Sequence, residues 1–203
     1  MQFILVRHGE CVHNIQKDRY IPTALCSLTA KGQQQSIVAA ENIKKIVVSY
    51  SKIPKISLYY SPYERTKFMA NEIIKQIKCD KIFEEPLISE IQCGNFFSEE
   101  QYAKEFPLDY ECLKQSKTTK TRFWCRFNGG ESPFDVYVRA RMFLSEQAMD
   151  ENRLVIIVSH QMTLRVISMI LLKKTTDYFE EGKRFQNGEV VLIENGILKA
   201  EMR

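Results

Sequence analysis

The stretch that decides the fold is "FILVRHGE" at residues 3–10, where four apolar residues run directly into an arginine, a histidine and a glycine. A short apolar run with a turn signal after it is typical of a buried strand in a parallel sheet. In open α/β sheets, ligands bind beyond the carboxyl ends of the strands. The pattern therefore predicts a first strand that ends at a ligand site, with Arg7 and His8 at its edge.

Length and composition limit the classes to which the protein can belong. The chain has 203 residues, 44% of them hydrophobic, which is enough to bury a sizeable core in one domain over residues 1–203. The formal net charge of +4 permits an anionic ligand but is too small to indicate nucleic acid. The apolar runs are shorter than a membrane span, and "MQFILVRHGE" lacks the features of a signal peptide. We therefore expect a cytoplasmic protein with no membrane or nucleic-acid partner; the sequence leaves its oligomeric state open.

The cysteines and histidines give no pattern of a metal or cofactor site. None of the 6 cysteines forms a C-x-x-C pair, so we expect free thiols. His8 and His13 are too poorly spaced for one strand or helix face to present both to a metal. We therefore expect no metal and no cofactor. Cys11 and Cys93 flank the expected site, where two alternatives stay open: an oxidant-sensitive site or buried, inert thiols.

Hydrophobic periodicity alternates between the strand and helix patterns along the chain. Apolar runs indicate strands at 3–6, 55–61 and 153–160. Helical spacing indicates helices at 27–50, 62–78, 129–151 and 161–174. Thr29 and Ser132 are the expected N-caps of two of these helices, and Pro62 is expected to open another.

The alternation of strands and helices predicts the fold class. We expect an α/β protein, a three-layer α/β/α sandwich whose central sheet is mostly parallel with helices on both faces. Residues 189–202 form a predicted hairpin with Asn195-Gly196 at its turn. This hairpin is expected to supply an antiparallel edge to the sheet.

The region 91–128 does not fit the alternation, because its periodicity is poor and its charged and aromatic residues are mixed. A loop of that length inside a compact domain is usually functional, so we expect a lid or substrate-specificity insertion, with Arg122 and Arg126 binding the substrate. The alternative is a surface loop whose aromatic residues pack back on the core. Basic and aromatic residues also interleave at 114–126, as in nucleic-acid binders, but a solvated lid explains that run more simply.

Basic side chains gather where the predicted strands end. Arg7 and His8 follow the first strand, Arg65 lies in the first turn of the helix after the second, and His160 follows the strand at 153–160. A lone histidine at a strand end is usually structural, but two beside arginines in one crevice are harder to explain that way. Because like charges repel, this cluster favours a bound anion such as phosphate, at a helix N-terminus.

An ordered set of motifs then resembles a known family. The segments "LVRHGE", "LTAKGQQQ", "YYSPYERT", "LISEIQCG", "GGES" and "VIIVSHQMTLRV" are similar to the successive signatures of the histidine phosphatase superfamily, the phosphoglycerate-mutase-like proteins. They follow the family's order over nearly the whole chain. The segments "RFWCRFNGGESPFDVYVRARMFL" and "DYFEEGKRFQNGEVVL" are most similar to small phosphoglycerate-mutase-like phosphatases.

The resemblance implies a phosphohistidine mechanism. His8 matches the nucleophile, and Glu90 matches the general acid that later acts as a base toward water. The remaining implied site residues hold the phosphoryl group: Arg7, Arg65, His160, Asn14 and, through its backbone amide, Gln161. The implied substrate is a small phosphorylated molecule, with a phosphopeptide also open.

Departures from the family's pattern leave the substrate open. Met69 stands where threonine is common, Gln161 replaces a frequent glycine, and "GNFFSEE" lacks the usual Trp-Glu-Gly. The resemblance favours a phosphatase over a mutase, because "DRYIPTALCSLT" does not match the Thr-Gly-Trp-type stretch of the true mutases. A third alternative is a module that binds phosphorylated ligands without turnover, and the full set of catalytic side chains argues against it.

Overall fold

The central feature is one mixed sheet, seen in a computed structural model that describes residues 1–15, 25–96, 98–147, 153–182 and 184–203. Within these residues the strand order is β3-β2-β4-β1-β5-β6. The strands are β1 (Gln2–Arg7), β2 (Lys55–Tyr60), β3 (Lys81–Glu84), β4 (Arg153–Ser159), β5 (Val190–Glu194) and β6 (Ile197–Met202). The first four run parallel, and the β5–β6 hairpin adds an antiparallel edge.

Helices cover both faces of this sheet and its carboxyl edge. They are α1 (Val12–Ile15), α2 (Ala30–Val48), α3 (Glu64–Gln76), α4 (Glu99–Glu105), α5 (Pro107–Thr119), α6 (Pro133–Gln147), α7 (Gln161–Leu171) and α8 (Thr176–Glu181). Short 3-10 helices lie at Pro86–Ile88 and Arg122–Trp124.

Two apolar cores lie on opposite faces of the sheet, because successive side chains of a strand point to opposite faces. In β1, Ile4 and Val6 pack into the core that α2 and α3 cover. Phe3 and Leu5 pack into the second core, beneath α6 and α7. The predicted three-layer α/β/α fold with a mostly parallel sheet is therefore confirmed.

The predicted helix starts and the hairpin turn have the expected local structure. Thr29 Oγ1 accepts a hydrogen bond from the Gly32 amide at 3.0 Å, and Ser132 Oγ accepts one from the Asp135 amide at 3.2 Å. At the hairpin turn, Asn195 and Gly196 have φ values of 51° and 77°, as a type I′ turn requires. The final part of the helix expected at 129–151 lies outside the described residues.

The elements differ from the sequence analysis in three places. The helix expected from Pro62 begins at Glu64, and β3 was not predicted because its four residues are all exposed at the sheet edge and form no apolar run. The region 91–128, expected as a long loop, contains α4 and α5. In α5 the one fully buried residue is Ser116, so the helix lacks the apolar stripe by which helices are recognised in sequence.

Two further findings concern the cysteines and the helices. Every cysteine of the chain is a free thiol. Among the described helices, none combines the length and hydropathy that crossing a membrane requires.

Candidate active site

The strand order brings the two strand-end histidines together. Because β4 pairs in parallel with both β1 and β2, the carboxyl ends of all three strands meet at one edge of the sheet. Arg7 is in register with Ser159, so the following residues, His8 and His160, become neighbours with ring centroids 5.1 Å apart. Ser61 directly follows β2 at the same edge. The structure therefore assembles the crevice that the sequence predicted.

A close backbone contact holds the segment that carries His8. A Cβ atom on Gly9 would lie 2.0 Å from the Gly32 carbonyl oxygen, so only glycine allows this segment to pack on the first turn of α2. Next to it, Glu10 accepts hydrogen bonds from Lys31 Nζ at 3.1 Å and Thr29 Oγ1 at 3.0 Å. These two bonds lower the pKa of Glu10, whose carboxylate anchors the start of α2.

Arg65 joins the two histidines. It lies in the first turn of α3 with only 4% of its surface exposed. Its Nε donates to His8 Nε2 at 3.2 Å, and its Nη2 lies 3.2 Å from His160 Nδ1. The guanidinium carbon is 4.7 Å from the ring centroid of Tyr63, a cation–π distance that restrains the arginine.

The hydrogen bonds assign the tautomer of each histidine. His8 Nδ1 is 2.7 Å from the Gly9 carbonyl oxygen, which only accepts, so Nδ1 carries the proton and Nε2 keeps its lone pair. At His160 the pattern is reversed. Because Arg65 only donates, Nδ1 is the acceptor, and Nε2 donates to Ser61 Oγ at 2.8 Å. Both imidazoles are therefore neutral.

Burial and positive neighbours keep these imidazoles neutral. Burial, followed by the charge of Arg65, holds the pKa of His8 well below its ordinary value. The same two causes, in the same order, depress the pKa of His160. Burial also lowers the pKa of Arg7, and the charge of Glu90 is the largest influence opposing it.

Arg7 and Glu90 stand beside the histidines with part of their hydrogen-bonding capacity unused. Arg7 Nη1 donates to the Phe185 carbonyl at 2.8 Å, while its buried Nε has no acceptor among the described residues. Glu90 uses one oxygen, Oε1, to accept from the Ile91 amide at 3.0 Å and from Thr163 Oγ1 at 3.4 Å. The second carboxylate oxygen therefore remains the one suited to a ligand.

Asn14 and Gln161 lie at the border of the crevice. Asn14 Oδ1 accepts from the Cys11 amide at 3.0 Å and from Asn187 Nδ2 at 3.2 Å, so its amide nitrogen is the end able to donate to a ligand. Asn187 also donates to the His8 carbonyl at 3.2 Å, which ties Asn14 to the nucleophile segment. Gln161 is the first residue of α7.

The two cysteines near the site are poor nucleophiles. Burial raises the pKa of Cys11, and it raises the pKa of Cys93 to about 12. Because the thiolate is the reactive form, little of either side chain is reactive at neutral pH. Of the two alternatives, the structure favours buried, inert thiols.

A cavity of about 320 Å³ adjoins the crevice through Gln161. It lies beside α5, α7 and α8, and residues of the region 91–128 form part of its wall. Its lining residues are mostly apolar or basic, and they include Phe96, Tyr110, Lys114, Arg122, Phe127, Met162 and Arg165.

The structure separates the two arginines expected in the lid. Arg122 lines the cavity, where its Nε donates to Glu180 Oε2 at 2.9 Å. Arg126 is not among the lining residues; its Nη2 bonds Asp135 Oδ1 at 2.5 Å on the exposed surface. The site residues brought together at the crevice are thus Arg7, His8, Asn14, Arg65, Glu90, His160 and Gln161.

Sequence reasoning missed Tyr63 and Arg165. Tyr63 packs its ring on His160 at 4.9 Å between centroids, and Arg165 lines the cavity. A signal for Arg165 was present in "QMTLRVISMIL", where one arginine interrupts an apolar helix. Among the described residues, no cluster of three histidine, cysteine or acidic side chains could hold a metal ion.

Comparisons with known proteins agree with this geometry. The sequence model of the histidine phosphatase superfamily (branch 1) matches residues 3–196. The chain is 31% identical to phosphoglycerate mutase-like protein AT74H of Arabidopsis thaliana, over 96% of this chain and 74% of that protein. It is 28% identical to phosphoserine phosphatase 1 of Hydrogenobacter thermophilus, over 85% of this chain and 76% of that protein.

A solved structure shows the same fold. The alpha-ribazole phosphatase from Shigella flexneri superposes with a TM-score of 0.76, covering 96% of this chain and 90% of that chain at 19% sequence identity. At that identity the similarity concerns the fold alone.

Proposed function

This chain belongs to branch 1 of the histidine phosphatase superfamily, and we propose that it hydrolyses phosphomonoesters through a phosphohistidine intermediate on His8. One observation carries the proposal: the 2.7 Å hydrogen bond between His8 Nδ1 and the Gly9 carbonyl, which leaves the Nε2 lone pair facing Arg65. Relatives named as phosphatases support hydrolysis as the outcome.

In the first step, His8 Nε2 attacks phosphorus, so an N–P bond forms while the bond to the leaving oxygen breaks. The depressed pKa keeps the imidazole neutral and nucleophilic at pH 7. As the substrate enters, the Arg65 Nε–H exchanges its hydrogen bond to His8 Nε2 for one to a phosphoryl oxygen. The lone pair of His8 Nε2 is then free to form the bond to phosphorus.

The basic groups hold the transferring phosphoryl. Arg7 and Arg65 supply guanidinium donors, Asn14 supplies its amide nitrogen, and the Gln161 amide lies at the N-terminus of α7. His160 joins the set through its other tautomer: once Arg65 has turned to the phosphoryl group, Ser61 Oγ donates to Nε2 and Nδ1 donates to a phosphoryl oxygen. Positioning and electrostatic stabilisation of this kind supply most of the catalysis in phosphoryl transfer, and we expect no metal to be needed.

Glu90 acts as the general acid and then as the general base of the proposed reaction. Its free oxygen donates a proton to the leaving oxygen in the first step, and the resulting carboxylate then takes a proton from the water that attacks the phosphohistidine. Arg7 is near enough for its pKa to respond to the charge of Glu90, and this proximity supports the role proposed for Glu90.

The proposal also covers the domain organisation, the substrate and the location of the protein. We propose that residues 1–203 form a single domain in which 91–128 is a substrate-specificity insertion, that the substrate is a small phosphorylated molecule, and that the protein works in the cytoplasm without a metal or cofactor. A mutase would use the same phosphohistidine and differ only in the acceptor.

The experiment is a screen of phosphorylated metabolites and phosphopeptides for phosphate release, with and without a phosphoglycerate acceptor. We expect release without the acceptor, complete loss in His8→Ala, and an acid-labile label on the His8 peptide after rapid quenching. Peptide mapping provides the control, because His13 and His160 should carry no label. Label on serine or aspartate would overturn the mechanism, and transfer confined to the acceptor would make the protein a mutase.

A further inference from the structure

The backbone just before Glu90 is bound by side chains from three different elements. The 3-10 helix Pro86–Ile88 ends two residues before Glu90, and the end of a helix leaves carbonyl groups without backbone partners. Here the carbonyl oxygens of residues 87–89 each accept a hydrogen bond of 2.6 Å from a side chain. The donors, from α6, β4 and α7, are Arg139, Ser159 and Thr163.

Arg139 joins this backbone to a carboxylate. Its Nη1 donates to the Leu87 carbonyl at 2.6 Å, while its Nε and Nη2 donate to the two carboxylate oxygens of Glu131 at 2.9 Å and 3.2 Å. A bidentate pair of this kind has a fixed orientation, because a planar guanidinium and a planar carboxylate make both bonds at once. The two side chains are 15% and 22% exposed, so the pair is largely shielded from water.

Glu131 binds the chain on the other side of the acid. Its Oε2 accepts from the Gln92 amide at 2.9 Å, and its own amide donates to the Gln92 carbonyl at 2.8 Å. A Cβ atom on Gly130 would lie 2.3 Å from the same carbonyl oxygen, so the glycine allows this close contact. The ion pair therefore holds the chain at residues 87 and 92, on either side of Glu90.

The carboxyl group of Glu90 depends on this backbone for its position. One of its oxygens accepts from the Ile91 amide at 3.0 Å and from Thr163 Oγ1 at 3.4 Å, and the other makes no hydrogen bond among the described residues. A general acid must lie within about 2.6–3.2 Å of the atom that it protonates. A displacement of about 1 Å can cost about a hundredfold in rate, so the placement of the backbone matters for proton transfer.

We propose that Arg139 and Glu131 are positioning residues for the general acid, because their ion pair fixes the backbone on both sides of Glu90 and so sets the place of its carboxyl group. This inference rests on the proposed phosphatase function and on the role of Glu90 in it. A positioning role has a different kinetic consequence from a general contribution to the fold. A misplaced acid slows the reactions whose leaving group needs a proton, whereas a loosened fold slows all of them.

The test compares phenyl phosphate with p-nitrophenyl phosphate, two substrates of similar shape whose leaving groups differ in basicity. Phenolate is the more basic of the two and needs the proton more. In Arg139→Gln we expect the single-turnover rate of phosphorylation of His8 to fall by roughly tenfold or more with phenyl phosphate, and by less than about threefold with p-nitrophenyl phosphate. Arg139→Lys should restore part of the loss, because an ammonium keeps the charge but lacks the planar fork of donors.

Two further comparisons make the test specific. The matched control is Arg141→Gln, which removes an exposed arginine of the same helix and should leave both rates unchanged. In a Glu90→Gln background, Arg139→Gln should add no loss that depends on the leaving group, because the acid through which it acts is gone. Circular dichroism confirms that each variant is folded. Glu131→Gln should show the same preference with a smaller loss, and it carries the test if Arg139→Gln does not fold.

Three results would overturn the inference: equal losses with both substrates in a folded variant, unchanged rates with both, or an undiminished leaving-group-dependent loss in the Glu90→Gln background. The proposed phosphatase function is tested separately. Labelling of His8 and hydrolysis of p-nitrophenyl phosphate do not require Arg139, so they can hold while this inference fails. Equal losses with both substrates in Glu90→Gln alone would instead refute the role of the acid itself.

Discussion

Arg65 Nε donates a hydrogen bond to His8 Nε2 across 3.2 Å, so a buried cation lies against the lone pair of a buried, neutral imidazole. The pair is arranged for an incoming phosphoryl group. The lone pair of His8 would bond to phosphorus, and the Arg65 N–H would donate a hydrogen bond to a phosphoryl oxygen. The same arginine also reaches His160. One guanidinium therefore forms hydrogen bonds with both histidines of the site.

The first prediction concerns Arg65. The ammonium group of lysine lacks the planar fork of separated N–H donors that a guanidinium has, so Arg65→Lys and Arg65→Ala should each lower kcat by about a hundredfold to a thousandfold. The loss should appear with both an alkyl phosphate and p-nitrophenyl phosphate, because in the proposed mechanism Arg65 contacts the phosphoryl group that the two substrates share. Steady-state kinetics measure it, with Lys67→Ala, a partly exposed residue of the same helix, as the control. A loss limited to one substrate would contradict this role.

The second prediction concerns Glu90. An alkoxide needs a proton as it leaves, whereas nitrophenolate does not. Glu90→Gln should therefore slow phosphorylation of His8 by an alkyl ester by about a hundredfold or more, and by p-nitrophenyl phosphate markedly less. Single-turnover kinetics separate this step from hydrolysis of the intermediate. Equal losses with both substrates would assign Glu90 a structural role.

The third prediction contrasts the two arginines of the lid. Arg122→Ala leaves the buried Glu180 carboxylate without its ion pair, so we expect a loss of about 1–3 kcal/mol in the free energy of unfolding and a raised KM for the physiological substrate. Arg126 is 61% exposed, and Arg126→Ala should cost at most about 1 kcal/mol. Urea denaturation and steady-state kinetics compare the two. Equal effects of both substitutions would show that the ion pair between Arg122 and Glu180 does not stabilise the fold.

The fourth prediction concerns acid stability. The pKa values of His8 and His160 are lower in the folded chain than in the unfolded chain, where they are about 6.5. Below about pH 6.5 the unfolded chain binds protons that the folded chain does not, so the free energy of unfolding should fall as the pH drops from 7 toward 5. Urea denaturation across that range measures the slope.

His160→Asn provides the comparison for this slope. Because it removes one of the two histidines, the stability of the variant should depend less steeply on pH than that of the wild type. A wild-type stability that stays constant between pH 7 and 5 would contradict the neutral, buried state of these histidines.

Local patterns in the sequence determined the framework of this protein. The apolar run before Arg7, the Thr29 and Ser132 caps and the Asn195-Gly196 turn each depend on neighbours in the chain, so the strands, helix starts and hairpin could be predicted. Because parallel strands expose their carboxyl ends at one edge, the alternation also predicted which basic residues would meet. The same logic failed for β3 and α5, whose residues are too exposed to leave an apolar pattern.

Only the tertiary structure decided how these residues work together. That β4 lies between β1 and β2 brings His8 within 5.1 Å of His160, and the tautomers follow from contacts with Gly9 and Ser61. The same holds for Arg165, which sequence reasoning passed over as one arginine in an apolar helix. Its surroundings combine burial, a ring from α8 and an Nε that has no acceptor among the described residues, and these are relations that the spacing of residues along the chain does not reveal. Hydrogen bonds and desolvation act over a few ångströms in space, so a site built by long-range packing has no counterpart in the spacing of residues along the sequence.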